Sequence, residues 1–178
     1  MNKSSYKPLP ARGLIRAAFD YSPETGILTW RPKKVRRGHE RADKIFNALF
    51  AGKPTGCPNG LGYLRVLWNK QHYVAHRIIW KWVHGTDAVM VDHINGDRSD
   101  NRIANLRNST RSQNLANCRT SPRSGFKGAS KIKNRWQANI RKDGVKIYLG
   151  SFKTPEDAHE AYCKAAKELH GDFFNPGC

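Results

Sequence analysis

Val91-Asp92-His93-Ile94-Asn95-Gly96-Asp97, continued by Asn101, Asn105-Leu106-Arg107 and Ser112-Gln113-Asn114, gathers a carboxylate, an imidazole and spaced amides within two dozen residues. Val89-Met90-Val91 is apolar and reads as a short strand, which sets Asp92 and His93 where that strand runs out into a loop. The loop from Asn95 to Asn101 is dense in residues that close turns with their own side chains. Asn105-Leu106-Arg107 then reads as a second short strand, and Thr110 to Asn117 as a helix that Ser109 can cap, with Asn114 one turn in. Strand, loop, strand and helix in one short span predict an α+β fold.

These residue types suit phosphodiester hydrolysis, which needs a nucleophilic water, a cation against the phosphate and stabilisation of the leaving oxygen. With an ordinary imidazole pKa of about 6.5, His93 suits the general base near neutral pH. Asp92 and the side-chain oxygen of Asn114 are hard oxygen ligands, which favour Mg2+ or Mn2+ over zinc. Two protein ligands leave positions for water and phosphate oxygens, so one divalent cation per site is expected. Asp97 is assigned to shaping the loop, with metal binding as its alternative. His72, His84, His159 and His170 lack comparable partners and read as surface or capping residues.

Outward from this cluster the chain is strongly basic: 32 Lys and Arg oppose 14 Asp and Glu, a formal charge of +18. Such a balance selects an anionic partner, and nucleic acid rewards charge spread over a whole chain. A solubilising surface or a ribosome-like packing protein gives the same charge, so charge alone does not decide. No run approaches the roughly 20 apolar residues of a membrane span, and no segment is both amphipathic and basic in the manner of an interfacial helix. The N-terminus leads into Pro8 and Pro10 with no apolar signal core, so a cytoplasmic location is expected. Cys57, Cys118, Cys163 and Cys178 form no Cys-x-x-Cys pair, which argues against a thiolate zinc site and a disulfide framework.

Residues 11 to 21 read as a short helix, Ser22 to Gly26 as a turn and Ile27 to Trp30 as a strand. Arg31 to Lys44 holds seven basic residues without periodicity and reads as an exposed loop. Gly60 to Asn69 and Gln71 to Val74 read as paired strands, and Ala75 to His84 as a helix ended by Gly85. The Pro, Gly and Ser content near Arg119 marks a linker. Beyond it come three strands, Phe126 to Lys131, Arg135 to Arg141 and Lys146 to Phe152, with an Asp143-Gly144 hairpin turn. A helix capped by Thr154 runs on to about Leu169. The expected division is therefore an N-terminal extension at 1–60, a core at 61–118, a linker at 119–124 and a second module at 125–178.

The Asp-His, polar loop, Asn-Leu-Arg and helical Asn of the opening stretch resemble the HNH endonucleases, the ββα-metal nucleases, and especially their phage and intron-encoded homing type. The resemblance implies that Asp92 and Asn114 are metal ligands, that His93 is the general base, and that Asn105 pins the loop and orients the histidine. The upstream Ala75-His76-Arg77 matches the family's His-Arg before an apolar helix and makes His76 a structural support. Separately, Phe126-Lys127-Gly128, Trp136-Gln137-Ala138-Asn139-Ile140, Tyr148-Leu149-Gly150 and Thr154-Pro155-Glu156-Asp157 resemble the Apetala or ethylene-response-factor type of DNA-binding domain across nearly all of 124 to 175. That implies a small three-stranded antiparallel sheet packed on one helix, docked in the major groove. By motif position Lys127, Ser130, Arg135, Arg141, Lys146 and Tyr148 are its DNA-binding residues. Where the family favours Arg and Trp this chain has Lys and Tyr, and Lys cannot make the bidentate guanine contact of Arg.

The reading is a metal-dependent HNH endonuclease of the homing type. Its partner is double-stranded DNA, with no membrane and no small-molecule cofactor, and a monomer rather than a dimer is expected. The alternative is a non-catalytic DNA-binding regulatory protein. An RNA-directed protein fits less well, because sheet docking suits the wide major groove of B-form DNA.

Overall fold

The computed structural model describes residues 8–118 and 125–177, so the expected linker 119–124 lies outside the described residues. The chain divides into two compact units, residues 1–108 and 109–178, each mixing helices and strands in the expected α+β manner. This division falls ahead of the expected linker. The N-terminal extension shares a unit with the hairpin of the polar cluster, and the helix carrying Asn114 belongs with the C-terminal module.

In the first unit, helix α1 (Arg12–Ala18) leads directly into strand β1 (Phe19–Ser22), which pairs with β2 (Ile27–Trp30). The expected helix to Tyr21 stops at Ala18 because Phe19 and Tyr21 lie at alternate positions and are both buried, a period only a strand satisfies. Residues 40–50, whose first part was expected to be loop, form helix α2 (Glu40–Phe50). The physical reason is one ion pair hidden in the basic run. Asp43, 1% exposed, accepts hydrogen bonds from the Arg36 backbone N–H, Nε at 2.9 Å and Nη2 at 2.7 Å. Those bonds hold its carboxyl down at about 2 and fold the charged segment onto the helix start.

Strands β3 (Cys57–Pro58), β4 (Leu64–Trp68) and β5 (Gln71–Val74) form a three-stranded antiparallel sheet, followed by helix α3 (Ala75–His84). Gly85 ends α3 in the left-handed conformation, as the sequence predicts. Ile15, Phe19, Leu28, Val66, Ile78 and Ile79 form the centre of one hydrophobic core. Each contributes about 1.5–3 kcal/mol by leaving water. Arg12 donates to the Trp82 and Val83 carbonyls at 3.2 and 2.6 Å, placing a cation on the negative end of α3. Strands β6 (Val91–His93) and β7 (Leu106–Asn108) pair antiparallel, and Val91 and Leu106 fasten this hairpin to the core.

In the second unit, helix α4 (Arg111–Asn117) is capped by Thr110 in a reciprocal capping box with Gln113. Ser109 is not the cap; the structure moves it by one residue. Strands β8 (Ala129–Ile132), β9 (Arg135–Lys142) and β10 (Val145–Phe152) form an antiparallel sheet with β9 in the centre. Helix α5 (Pro155–His170) packs behind it through Ala158, Tyr162 and Ala166 against Ala138 and Ile140. Gly128 is required by this packing, since a Cβ there would lie 2.1 Å from the Tyr162 ring.

Gly26 carries the corresponding constraint in the first unit. Its φ is +74°, and a Cβ would stand 2.5 Å from the Arg102 amide nitrogen and 2.7 Å from the Asn101 carbonyl carbon. Both opposing atoms are backbone, so neither can swing aside. Gly26→Ala is expected to destabilise the protein by about 1–3 kcal/mol, read as a lowered melting temperature. Gly13→Ala, in α1 with nothing within 4 Å of the new methyl, is expected to be neutral or stabilising by about 0.5–1 kcal/mol. Equal melting temperatures for the two variants would contradict the close approach at Gly26.

Candidate active site and nucleic-acid interface

Asp92 and His93 lie within β6 rather than beyond its end, and both are buried, 5% and 4% exposed. Neighbouring strand residues point to opposite faces, so each has its own environment. Asp92 stands opposite Arg107 in the β6–β7 register and accepts a hydrogen bond from Arg107 Nε at 2.8 Å. This ion pair between two largely covered side chains fixes the carboxylate's rotamer. Arg107 is a site residue that sequence reasoning quoted only as part of a motif.

The His93 ring lies against His76 of α3, with ring centroids 5.1 Å apart and planes at 85°, and against Tyr63 at 6.0 Å. Its Nε2 is 3.2 Å from Oδ1 of Asn101, which is itself 2% exposed. The amide orientation is set by the bond from Asn101 Nδ2 to the Ser99 carbonyl at 3.2 Å, which turns Oδ1 toward the ring. An amide oxygen only accepts, so the ring proton sits on Nε2 and the basic lone pair on Nδ1. Burial lowers the His93 pKa from its usual range, while the Asn101 bond and the charges of Asp92, Asp97 and Asp100 act in the opposite direction. The imidazole is therefore neutral at neutral pH.

Asn105 clamps the loop between the two strands. Its Oδ1 accepts from the Asn95 amide at 3.0 Å, and its Nδ2 donates to Asn95 Oδ1 at 3.0 Å and to the Asp100 carbonyl at 2.8 Å. The residue that accepts from the His93 ring is Asn101, which sequence reasoning placed in the turn-rich loop. Asp97 Oδ1 accepts from the backbone and hydroxyl of Ser99, a loop-shaping geometry. Asp100, bound by Arg102 and by Asn95, is held at about 2 chiefly by the Arg102 guanidinium.

His76 is 7% exposed, and burial drives its pKa to about 3, so it stays neutral and forms a wall beside His93. Asn114 is the fourth residue of α4 and half-buried; it belongs to the second unit, whereas Asp92 and His93 belong to the first. Among the described residues no cluster of three or more His, Cys, Asp or Glu is placed to hold a metal ion. Asp92 and Asn114 each carry a hard oxygen donor, the kind that suits Mg2+ or Mn2+.

On the C-terminal sheet, Ala138 and Ile140 face α5 at 0% and 3% exposure, so Arg135, Gln137, Asn139 and Arg141 occupy the outer face of β9. Ser130, Arg135, Arg141, Lys146 and Tyr148 are all exposed. Arg135 lies along the sheet, donating to Ser151 Oγ at 3.0 Å and to the Ser151 carbonyl at 2.9 Å. Lys127 is a correction to the expected set. It precedes β8, is 8% exposed, and donates its ammonium protons to the carbonyls of Ala116, Cys118 and Asn175 at 2.8, 2.9 and 2.8 Å. An ammonium has three protons and all are used inside the unit, so Lys127 is not a surface residue for phosphate. Gln137 and Asn139 were missed, although the alternation from Arg135 to Arg141 marks their face.

Among the described residues no helix is long and apolar enough to cross a membrane. The family model described as HNH endonuclease matches residues 73–116, a span that holds His76, Asp92, His93, Asn105 and Asn114 and excludes the C-terminal sheet. An uncharacterized HNH endonuclease of Acanthamoeba polyphaga mimivirus is 37% identical over 89 residues, covering 49% of this chain and 46% of the relative. The chain thus spans less than half the length of that relative. No solved structure matches it. The match runs through every residue of the buried Asp-His hairpin just described, so the similarity to HNH endonucleases falls on residues 73–116.

Proposed function

We propose that the protein is a metal-dependent DNA endonuclease of the homing type, in which the C-terminal sheet anchors the duplex. The observation that carries this reading is the setting of His93: a buried imidazole whose pKa burial lowers and whose Nε2 lies 3.2 Å from the Asn101 amide oxygen. In this reading Nδ1 takes the proton of the attacking water, and the resulting imidazolium is stabilised by the nearby carboxylates of Asp92, Asp97 and Asp100. Asp92 and Asn114 are the residues that would hold one Mg2+ or Mn2+, an assignment supported by their donor chemistry and by the family match that spans both. The bound cation would supply charge neutralisation at the phosphate and the leaving oxygen. Arg107 keeps Asp92 oriented, and Asn105 keeps the intervening loop closed.

The sheet reading is supported by its charge. Arg141 and Lys146 stand directly opposite each other in the β9–β10 register, and neither forms an ion pair among the described residues. Like charges in cross-strand positions are destabilising on their own. A DNA phosphate relieves that repulsion, and binding should weaken steeply as salt rises.

The experiment is cleavage of supercoiled plasmid with Mg2+ or Mn2+ and again with a chelator. Cutting in metal alone is expected, and plasmid left intact under both metals would favour the non-catalytic regulator. His93→Ala is expected to lower the single-turnover rate by about 10²–10⁴-fold while DNA affinity stays near wild type.

The pH profile tests the protonation state. Neutral His93 is the active form and its pKa is lowered, so the midpoint of the acid limb should lie below the ordinary imidazole value of about 6.5. The Asn101 bond raises the pKa, so Asn101→Ala should move that acid limb lower still and reduce the plateau by about 10- to 100-fold. An acid limb that moves upward in Asn101→Ala would contradict the assigned tautomer.

A further inference from the structure

We infer that Gln137 and Asn139 read adenine in the DNA major groove and set the sequence preference of the C-terminal sheet. This deepens the proposal that the sheet binds DNA, and it rests on that reading. Both residues lie on the central strand β9, on the face opposite α5, with Ala138 between them turned into the core at 0% exposure. Gln137 is flanked on both sides by small hydroxyl residues, Ser130 of β8 and Ser151 of β10. Asn139 is paired with Tyr148 of β10, and its backbone N–H donates to the Gly128 carbonyl at 3.1 Å.

Among the described residues neither side-chain amide has a hydrogen-bond partner. The contrast with the nuclease loop is informative. There, every amide of Asn95, Asn101 and Asn105 is engaged in shaping the backbone. An amide at the centre of a sheet has no turn to close, and its donor and acceptor both point away from the core.

The geometry of reach separates these two residues from their charged neighbours. The cations Arg135 and Arg141 sit toward the two ends of β9, and Lys146 lies beside Arg141. The long side chains of Arg141 and Lys146 can reach the phosphates that rim a groove, whereas Arg135 is held against Ser151. Asn and Gln are short, so at the sheet centre they contact only what lies directly over it, the edges of the bases. A side-chain amide presents one donor beside one acceptor, the complement of adenine N6 and N7, and this is its bidentate major-groove pairing. Guanine offers two acceptors there and would leave the amide oxygen facing an acceptor. The preference is therefore for A·T pairs beneath the sheet centre, with phosphate contacts from the surrounding cations supplying affinity.

The test uses the full chain with a chelator present to prevent cleavage, and a duplex library randomised over the bound region. Wild-type protein is expected to enrich sites holding A·T at one or two fixed positions. Gln137→Ala and Asn139→Ala should each lose preference at one such position by roughly 5- to 150-fold, with affinity for unselected duplex and its salt dependence unchanged. Arg141→Ala and Lys146→Ala should weaken binding to all sequences alike and flatten the salt dependence. If the charge variants weaken binding but the amide variants keep the wild-type preference, the adenine assignment is overturned and the sheet remains a DNA anchor. If the charge variants bind as wild type does, the sheet is not the DNA surface and both readings fall. Enrichment of G·C at the amide-dependent positions, or tighter binding to single-stranded RNA than to duplex DNA, would also overturn the assignment.

Discussion

The hydrogen bond between His93 Nε2 and the Asn101 amide oxygen is the contact on which the arrangement of the first unit converges. It fixes which ring nitrogen is basic, and its acceptor is held from several directions. The backbone carbonyl of Asn101 accepts from the Tyr21 hydroxyl at 2.9 Å, and its side chain donates to Ser99. The β1–β2 turn lies so close behind it that only glycine fits at position 26. The N-terminal hairpin is thus part of the apparatus that sets the protonation state of a residue some seventy positions later in the chain.

Two kinds of polar burial coexist around that bond. Asp92 and Arg107 form a covered ion pair, a geometry whose net contribution to stability is small because desolvation offsets attraction. The contacts are better understood through orientation: a carboxylate fixed in one rotamer and an imidazole fixed in one tautomer need little reorganisation when a substrate arrives. His76, buried and neutral, completes an apolar wall that carries no competing charge next to His93.

Much of this was legible in the sequence, and the exceptions have physical causes. The strand spacing, the Gly85 stop, the Asp143-Gly144 turn and the Thr154 cap are local signals, and each element appears within a few residues of its expected place. Helix α2 was not legible because its decisive contact, Arg36 with Asp43, lies inside a run whose composition reads as solvated charge. Asn101 was not singled out because a turn-rich loop offers six polar residues from Asn95 to Asn101, and only the folded backbone selects which of them faces the ring. Lys127 was misplaced because it was assigned by motif position, whereas three carbonyl groups hold its ammonium inside the unit.

That buried lysine bears on how such proteins can be assembled from parts. Its ammonium joins the end of α4, the start of the sheet module and the segment after α5 through one shared cation. Two of the three carbonyls precede residue 119, while the lysine and the third follow residue 124. A recombination event at that apparent seam would leave the helix end with two unsatisfied acceptors and the incoming module with a stranded charge, each costing on the order of 1–3 kcal/mol. The C-terminal sheet is accordingly not a freely exchangeable cassette: the Lys127 ammonium, with the Asp143–Ser112 and Asn175–Asn117 hydrogen bonds beside it, ties inheritance of the sheet to inheritance of the Asn114 helix.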